Sequence, residues 1–393
     1  VESLDVAIIG AGPYGISLGL TLRKLGIGYR VFGPAMKTWR EGMPKGMDLK
    51  SEGYASTIYD PTGKTLGTYC REIGHEFKPV AWPVPLKLFC EYGMDCHGRL
   101  GSTADPRSVQ MVDSVNGHYR LTLDDGALVE AKRVVVAAGI THFAAMPEAF
   151  QGLPKELVSH SSVHHELNQF AGKDVLVIGA GASAIDTALL AAESGVNVTL
   201  VARGGIEWNI KRNDPRSLYE KIRLPESCMG PGIRSCMYEK SPLMFKALPP
   251  ELREKIAREF AGPSGGWSVH EKFDAMVPYL MDTRVSDLAE VDGRLMVRLS
   301  TGGKPAEQRI VDHAICATGY HADVARLPFL SKPIRDRIAT LHGSPVLDSG
   351  YQSTVENIFF VGKAAAVTFG PLMRFVCGTE YASKRLSRRL ARA

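Results

Sequence analysis

From Asp5 the chain runs Asp5-Val-Ala-Ile-Ile-Gly10-Ala-Gly12-Pro-Tyr-Gly15. An unbroken apolar row of this length marks a strand buried on both faces, as in a parallel sheet. The period then changes. Leu18, Leu22 and Leu25 share one helical face, Gly26 stops the helix, and Tyr29 to Phe32 reads as a second strand. The same order of events recurs 169 positions on, counted from Gly10 to Gly179. There the residues are Asp174-Val-Leu-Val-Ile-Gly179-Ala-Gly181-Ala-Ser-Ala184, with Ala184, Thr187, Ala188 and Ala191 on one face, a stop at Gly195 and a strand from Asn197 to Ala202.

Two further apolar runs end in a glycine bend, Val134 to Gly139 and Ala314 to Gly319-Tyr320, and they bracket the second unit. A last strand, Asn357-Ile-Phe-Phe-Val-Gly362, lies near the end. The pattern predicts an α/β protein with two Rossmann-like dinucleotide-binding domains. One is discontinuous, 1–155 plus 325–393, and the other, 156–324, is inserted into it. Residues 204–277 break the rhythm with prolines, glycines and scattered aromatic and basic side chains. They read either as a surface elaboration or as a cap over an active site, with Trp208, Asn209, Lys211 and Arg212 placed to hinge it.

Composition changes this little. A hydrophobic share of 45% and a charged share of 23% exclude a disordered, collagenous or coiled-coil chain. The net charge is +5 and the basic residues are scattered, except for Lys384-Arg385 and Arg388-Arg389, which suit the end of a helix. No nucleic-acid partner is expected. No apolar run reaches the roughly 18–20 residues of a membrane span, and no signal peptide is visible before the first strand, so a soluble, cytoplasmic protein is expected. The seven cysteines are odd in number and contain no Cys-x-x-Cys, so neither a disulfide framework, a zinc ribbon nor a redox-active dithiol of that type is expected. His160 and His164 are four apart, but no Glu follows the first and no cysteine lies near, so no metal is expected.

The glycine loops have the spacing Gly-x-Gly-x-x-Gly/Ala between a buried strand and a helix. Gly10 permits the turn, Gly12 lets the backbone approach a pyrophosphate, and Gly15 lets helix and strand pack closely; Gly179, Gly181 and Ala184 repeat these roles, and Pro13 and Ser183 complete the loops. Each helix N-terminus offers free N–H groups and partial positive charge to phosphates. Two such units imply two dinucleotides, FAD on the first and a nicotinamide nucleotide on the second. At the end of the inserted domain's second strand stands Arg203, with no acid, which favours the 2′-phosphate of NADPH; a solvated arginine is the other reading. In the first unit Phe32-Gly33-Pro34 lacks the acid expected for the FAD ribose, leaving Lys37 or the backbone near Trp39.

At this point the chain resembles the flavin-containing, N-hydroxylating and Baeyer–Villiger monooxygenases. The matching pieces are Gly10 to Gly15, Gly179 to Ala184 and Ala317-Thr318-Gly319-Tyr320, with a looser match from Trp39 through Lys50-Ser51 to Asp60-Pro61. The resemblance implies that Trp39, Lys50 and Ser51 run beside the flavin; the bends at Gly139 and Gly319 are further cofactor-binding candidates. It implies that Gly362-Lys363 replaces a Gly-Asp pair on the flavin's ribityl or phosphate region. It implies, too, that a helix beginning at Phe369-Gly370-Pro371 points at the flavin; a plain docking helix is the other reading. The signature Phe-x-Gly-x-x-x-His is stretched here, from Phe150 and Gly152 to His160. The implied activity is that of an FAD- and NADPH-dependent monooxygenase. Through a flavin C4a-(hydro)peroxide it would move one oxygen atom from O2 to a small amine, sulfide or ketone, with no side-chain nucleophile required. A flavin reductase or dehydrogenase without oxygen insertion is the alternative, and the oligomeric state is left open.

Overall fold

The computed structural model describes residues 2–211, 216–260, 262, 264–302 and 304–392; Arg212 is therefore outside the described residues. Two separate sheets organise the chain. In the first, Glu2–Ile9 lies between Tyr29–Phe32 and Leu128–Val136, parallel to both. Leu128–Val136 is long enough to serve two neighbours on its other side. Its first half pairs antiparallel with His118–Leu123, and Val134 to Val136 pair parallel with Ile358–Phe360. The chain thus leaves this sheet after Val136 and returns to it more than two hundred residues later, at Ile358.

The second sheet is wholly parallel, in the order Tyr279–Leu280, Asn197–Val201, Asp174–Ile178, His313–Cys316, Val158–His160. The helix Ala182–Glu193 covers one face, packing Ile185, Ala188 and Leu189 with Phe273 and Val277. A three-stranded meander, Thr283–Val291, Arg294–Thr301 and Glu307–Val311, covers the other. Its middle strand alternates strictly, and Leu295, Val297 and Leu299 meet Leu176, Ala314 and Cys316. Burying each such aliphatic side chain stabilises the fold by about 1.5–3 kcal/mol.

The first helix, Pro13–Lys24, starts with proline where its missing N–H costs nothing and stops at Leu25, with Gly26 at φ +69°. It packs against the C-terminal helix Gly378–Leu390, and a Ser17–Ser383 hydroxyl hydrogen bond of 2.9 Å lies between them. That helix does not begin at Pro371 as expected. Pro371–Arg374 is a single 3-10 turn, Phe375 is extended, and the α-helix starts at Gly378. Proline permits a helix start, but the chain needs the extra residues to turn from Gly370 onto the first helix.

The described residues of the stretch 204–277 dock at two places. Glu207–Trp208 pairs with Ser264–Gly265, and the Trp208 ring stacks on His270 at 4.0 Å, which fixes this end to the second sheet's helical face. The helices Ile233–Lys240, Pro242–Phe245 and Pro250–Glu259 reach the other domain, where Phe245 packs over Gly370 and Tyr54 donates to the Ser227 carbonyl at 2.8 Å. The cysteines correct the sequence reading. Cys228 of this stretch and Cys377, 149 positions apart, form a disulfide with Cα atoms 6.3 Å apart. Local spacing cannot reveal a pair that only the docking of a distant segment brings together.

Candidate functional site

Both glycine loops sit at the carboxyl ends of their central strands, where ligands bind in open α/β sheets. The two loops are built alike. Gly10 N–H donates to Phe32 O and Gly179 N–H to Val201 O, each at 2.9 Å. Gly10 and Gly179 hold φ of +115° and +141°, and a Cβ on either would overlap the carbonyl of the neighbouring strand's end, Ala137 or Ala317. Only glycine satisfies both conditions. By contrast, a Cβ on Gly12 or Gly181 would meet nothing within 4 Å. These two positions face open space in front of the N-termini of the helices Pro13–Lys24 and Ala182–Glu193. Such an open approach to free N–H groups fits a pyrophosphate at each loop.

The loops open into one cavity of about 2550 Å³. Single drug-sized pockets span roughly 300–1,000 Å³, so this one has room for more than one cofactor. It is lined by Gly10, Gly12, Pro13, Trp39, Lys50, Ser51 and Gly139 from the first domain and by Gly179, Gly181, Ser183, Arg203 and Gly319 from the second. Gly362 and Lys363, after the returning strand, complete the wall. Gly15 and Ala184 do not line it. They lie behind the loops, where a Cβ on Gly15 would run into the Gly10 carbonyl. Gly370 is buried under Phe245 at φ +87° and does not line it either. Arg203 is exposed, just beyond the strand Asn197–Val201. Beside Gly33 the wall is made by Pro34, Lys37, Ser108 and Gln110. The acid on the neighbouring edge strand, Asp105, is engaged by Arg107 at 2.6 Å, which holds its carboxyl below the usual range.

Several ionic features escaped the sequence reading. Lys50 Nζ reaches Asp186 Oδ1 at 2.6 Å, so a residue of the first domain is clasped by the second domain's helix. Burial raises the Asp186 pKa and the Lys50 charge works against that rise. A lone acid in the apolar run Ile185-Asp186-Thr187 was the available signal. Lys363 is pushed down to about 7 by burial, with Arg374 adding to the shift and Glu254 opposing it. Arg374 aims one nitrogen at the carbonyls of Ala257 (3.2 Å) and Phe260 (2.8 Å), capping the C-terminal end of the helix Pro250–Glu259. That helix also lines the cavity, through Glu251, Glu254 and Arg258.

The histidines have local tasks. Ser162 N–H donates to His160 Nδ1 at 3.1 Å, so the ring proton sits on Nε2, which donates to Gly319 O at 3.1 Å. His160 thereby fixes the second glycine bend. His164 belongs to another network, with Ser159 and His313. Among the described residues no group of three or more His, Cys, Asp and Glu is placed to hold a metal, and no helix is long and apolar enough to cross a membrane.

Comparison with known proteins supports this architecture. Residues 103–223 match the family described as pyridine nucleotide-disulphide oxidoreductase. The indole-3-pyruvate monooxygenase YUCCA1 of Oryza sativa subsp. japonica is 28% identical over 214 residues, covering 51% of this chain and 48% of that protein. A ferredoxin–NADP reductase of Cupriavidus metallidurans is 30% identical over 216 residues, covering 51% and 52%. The chain thus spans about half the length of these curated relatives. Among solved structures, the ornithine N-hydroxylase of Kutzneria sp. 744, in complex with reduced FAD, NADP+ and L-ornithine, superposes with a TM-score of 0.76 at 16% identity over 99% of both chains. A flavin-containing monooxygenase of Stenotrophomonas maltophilia gives 0.68 at 17%, over 100% of this chain and 99% of that one. The chain thus shares its fold with these flavin-containing and N-hydroxylating monooxygenase structures.

Proposed function

We propose that the protein is an FAD-dependent, NADPH-using monooxygenase acting on a small organic substrate such as an amine, sulfide or ketone, with O2 as co-substrate. The observation that carries this reading is the shared cavity: two pyrophosphate-type loops, one per domain, face the same space. The first loop, with Gly10, Gly12 and Pro13, would hold FAD, with Trp39, Ser51, Gly139, Gly362 and Lys363 around it. The second, with Gly179, Gly181 and Ser183, would hold NADPH, and Arg203 would meet its 2′-phosphate. When bound, the flavin supplies hydride acceptance and oxygen activation, chemistry that no side chain of the protein provides. The chain's own residues orient and enclose. His160 donates its Nε2 proton to Gly319 O and keeps the second bend in place. The Lys50–Asp186 pair holds the two domains across the cleft. Described residues of the 204–277 segment, among them Trp208, Cys228 and Glu254, line the cavity and would limit the access of water to it.

A second reading is favoured by a specific observation. Ferredoxin–NADP reductases recur among the relatives, from Cupriavidus to Thermus thermophilus. An electron-transferring reductase with the same cofactors would need no oxygen insertion. NADPH oxidation by the flavin-loaded protein, followed with and without oxygen and with peroxide assayed, separates the two. The monooxygenase reading expects oxidation that depends on oxygen and releases peroxide when no substrate is present. Oxidation that is indifferent to oxygen and driven by a one-electron acceptor favours the reductase.

A further inference from the structure

The reaction proposed above makes no use of the Cys228–Cys377 disulfide. The bond ties the 204–277 segment to the residue directly before the helix Gly378–Leu390. Cys228 lines the cavity, as do Phe375 and Val376, the two residues ahead of Cys377. Both cysteines are half-buried. The other five are free thiols, four of them buried and Cys90 half-buried. Burial pushes Cys90 and Cys96 up to about 11 and Cys316 up to about 12, and raises Cys70 and Cys236 as well. None of those five lines the cavity; of the seven cysteines Cys228 alone does, and Cys377 follows directly on two residues that do.

The two sulfurs have different surroundings. Cys377 stands at the N-terminal end of a 13-residue helix, whose partial positive charge favours a thiolate there. The one acid of the first turn, Glu380, is drawn off by Lys384 at 2.5 Å. Cys228 lies in a loop, and its N–H donates to the Glu239 carboxylate at 3.0 Å, so an anion rather than a helix N-terminus is its neighbour. Between two sulfurs of one disulfide, attack proceeds faster where the departing thiol has the lower pKa.

We propose that Cys228–Cys377 is a thiol–disulfide exchange site for low-molecular-weight thiols, with Cys228 the sulfur attacked from the cavity and Cys377 the leaving group. A thiolate of the incoming molecule forms a bond to Cys228 Sγ. The Cys228–Cys377 bond breaks, and its electron pair leaves on Cys377 Sγ. A second thiol then attacks the mixed disulfide, releasing the symmetric disulfide of the small molecule and Cys228 as a thiol. In sum the protein disulfide gains two electrons and two protons, and two small thiols are oxidised to one disulfide. The reverse sequence, starting from the small disulfide, closes the bond again. Opening removes the covalent tie between the 204–277 segment and the C-terminal helix and leaves Arg374, Tyr54 and Phe245 to hold the contact.

Peptide mapping of the native full chain tests this independently of any flavin or NADPH activity. The protein is first incubated with glutathione disulfide, then with excess reduced glutathione, and free thiols are trapped with iodoacetamide at each stage. The expected result is a linked Cys228–Cys377 peptide after the first step and a roughly ten-fold loss of it after the second. In Cys377→Ser, glutathione disulfide should leave a stable glutathione adduct on Cys228. In the wild-type chain, transient adducts should sit on Cys228 rather than Cys377, which keeps the test valid if the variant misfolds. Two cysteines that stay alkylatable after glutathione disulfide overturn the proposal. So does a linked peptide that opens only in denaturant, which would make the bond structural. Adducts found mainly on Cys377 overturn the assigned order of attack.

Discussion

Replacing Gly12 by valine adds three carbon atoms where nothing now lies within 4 Å, at a φ of −90° that valine adopts without strain. The fold should therefore survive, while the space in front of the helix N-terminus is lost. Gly12→Val is expected to purify as a folded, colourless protein, its flavin-to-protein absorbance ratio down at least about ten-fold. A yellow variant with full flavin would remove the loop's assigned role. Lys363 makes a second test at this scale. Its folded pKa of about 7 lies below the ordinary 10.5, so the unfolded chain binds more protons in between. The Lys363 contribution to stability therefore rises with pH from about 7 to above 10, and below pH 7 its full penalty applies, on the order of 5 kcal/mol. Lys363→Met should raise the melting temperature of the flavin-free protein near pH 6.5 and lose that advantage by about pH 10.5. A difference that stays constant across the range would mean that Lys363 keeps its charge by other means. The loop glycines were legible because their role is local and steric. Asp186 and Arg374 were not, because each acquires its partner from the other domain or from the insertion.

At the level of elements, both strand–loop–helix units could be read from the sequence nearly to the residue. Continuous apolar rows, a helical face and a glycine stop all lie within about thirty positions. The two antiparallel additions were missed. Each turns on a dipeptide that signals a tight hairpin, Asn116-Gly117 and Asp292-Gly293, and all four residues have positive φ. The first strand of each hairpin, Val109–Val115 and Thr283–Val291, is half-exposed and alternates weakly, which hid the pairs beside the buried parallel strands. The helix read at Pro371 failed for a related reason: proline marks where a helix can begin, and tertiary packing sets where it does. The Arg203 prediction belongs here, since its proposed role follows from its place just past a strand end. A charge-assisted contact to a 2′-phosphate is worth about 1.5–3 kcal/mol, or roughly 10–150-fold in affinity. Arg203→Ala should raise the Michaelis constant for NADPH by that order and leave the constant for NADH nearly unchanged. Equal losses with both nucleotides would make Arg203 a structural residue and remove the preference for the phosphorylated cofactor.

Across the whole molecule, the described part of the 204–277 segment makes one wall of the cavity. The segment is anchored to the second domain by the Trp208–His270 stack and the short strand pair. It crosses to the first domain at Phe245, Cys228 and the Arg374 contacts. Arg374 is a polar fastening there, beside Tyr54: half-buried, it satisfies carbonyls at the end of the helix Pro250–Glu259, whose own N–H groups cannot reach them. Arg374→Met keeps the length of the side chain and removes the donors. Leaving buried carbonyls unpaired costs about 1–3 kcal/mol each, enough to loosen a docked segment without unfolding the domains beneath it. Flavin content and the rate of flavin reduction by NADPH should stay close to wild type, because both glycine loops lie elsewhere. What should change is the fate of the electrons. With water admitted beside the flavin, more of the NADPH consumed in the presence of an accepted substrate should appear as hydrogen peroxide and less as oxygenated product. Limited proteolysis should show new cuts within 216–260 in the same preparation. If the cuts appear and the peroxide yield per NADPH does not move, the segment is decoration. The substrate would then have to bind elsewhere in the cavity, nearest Lys50 and Ser51 on the opposite wall.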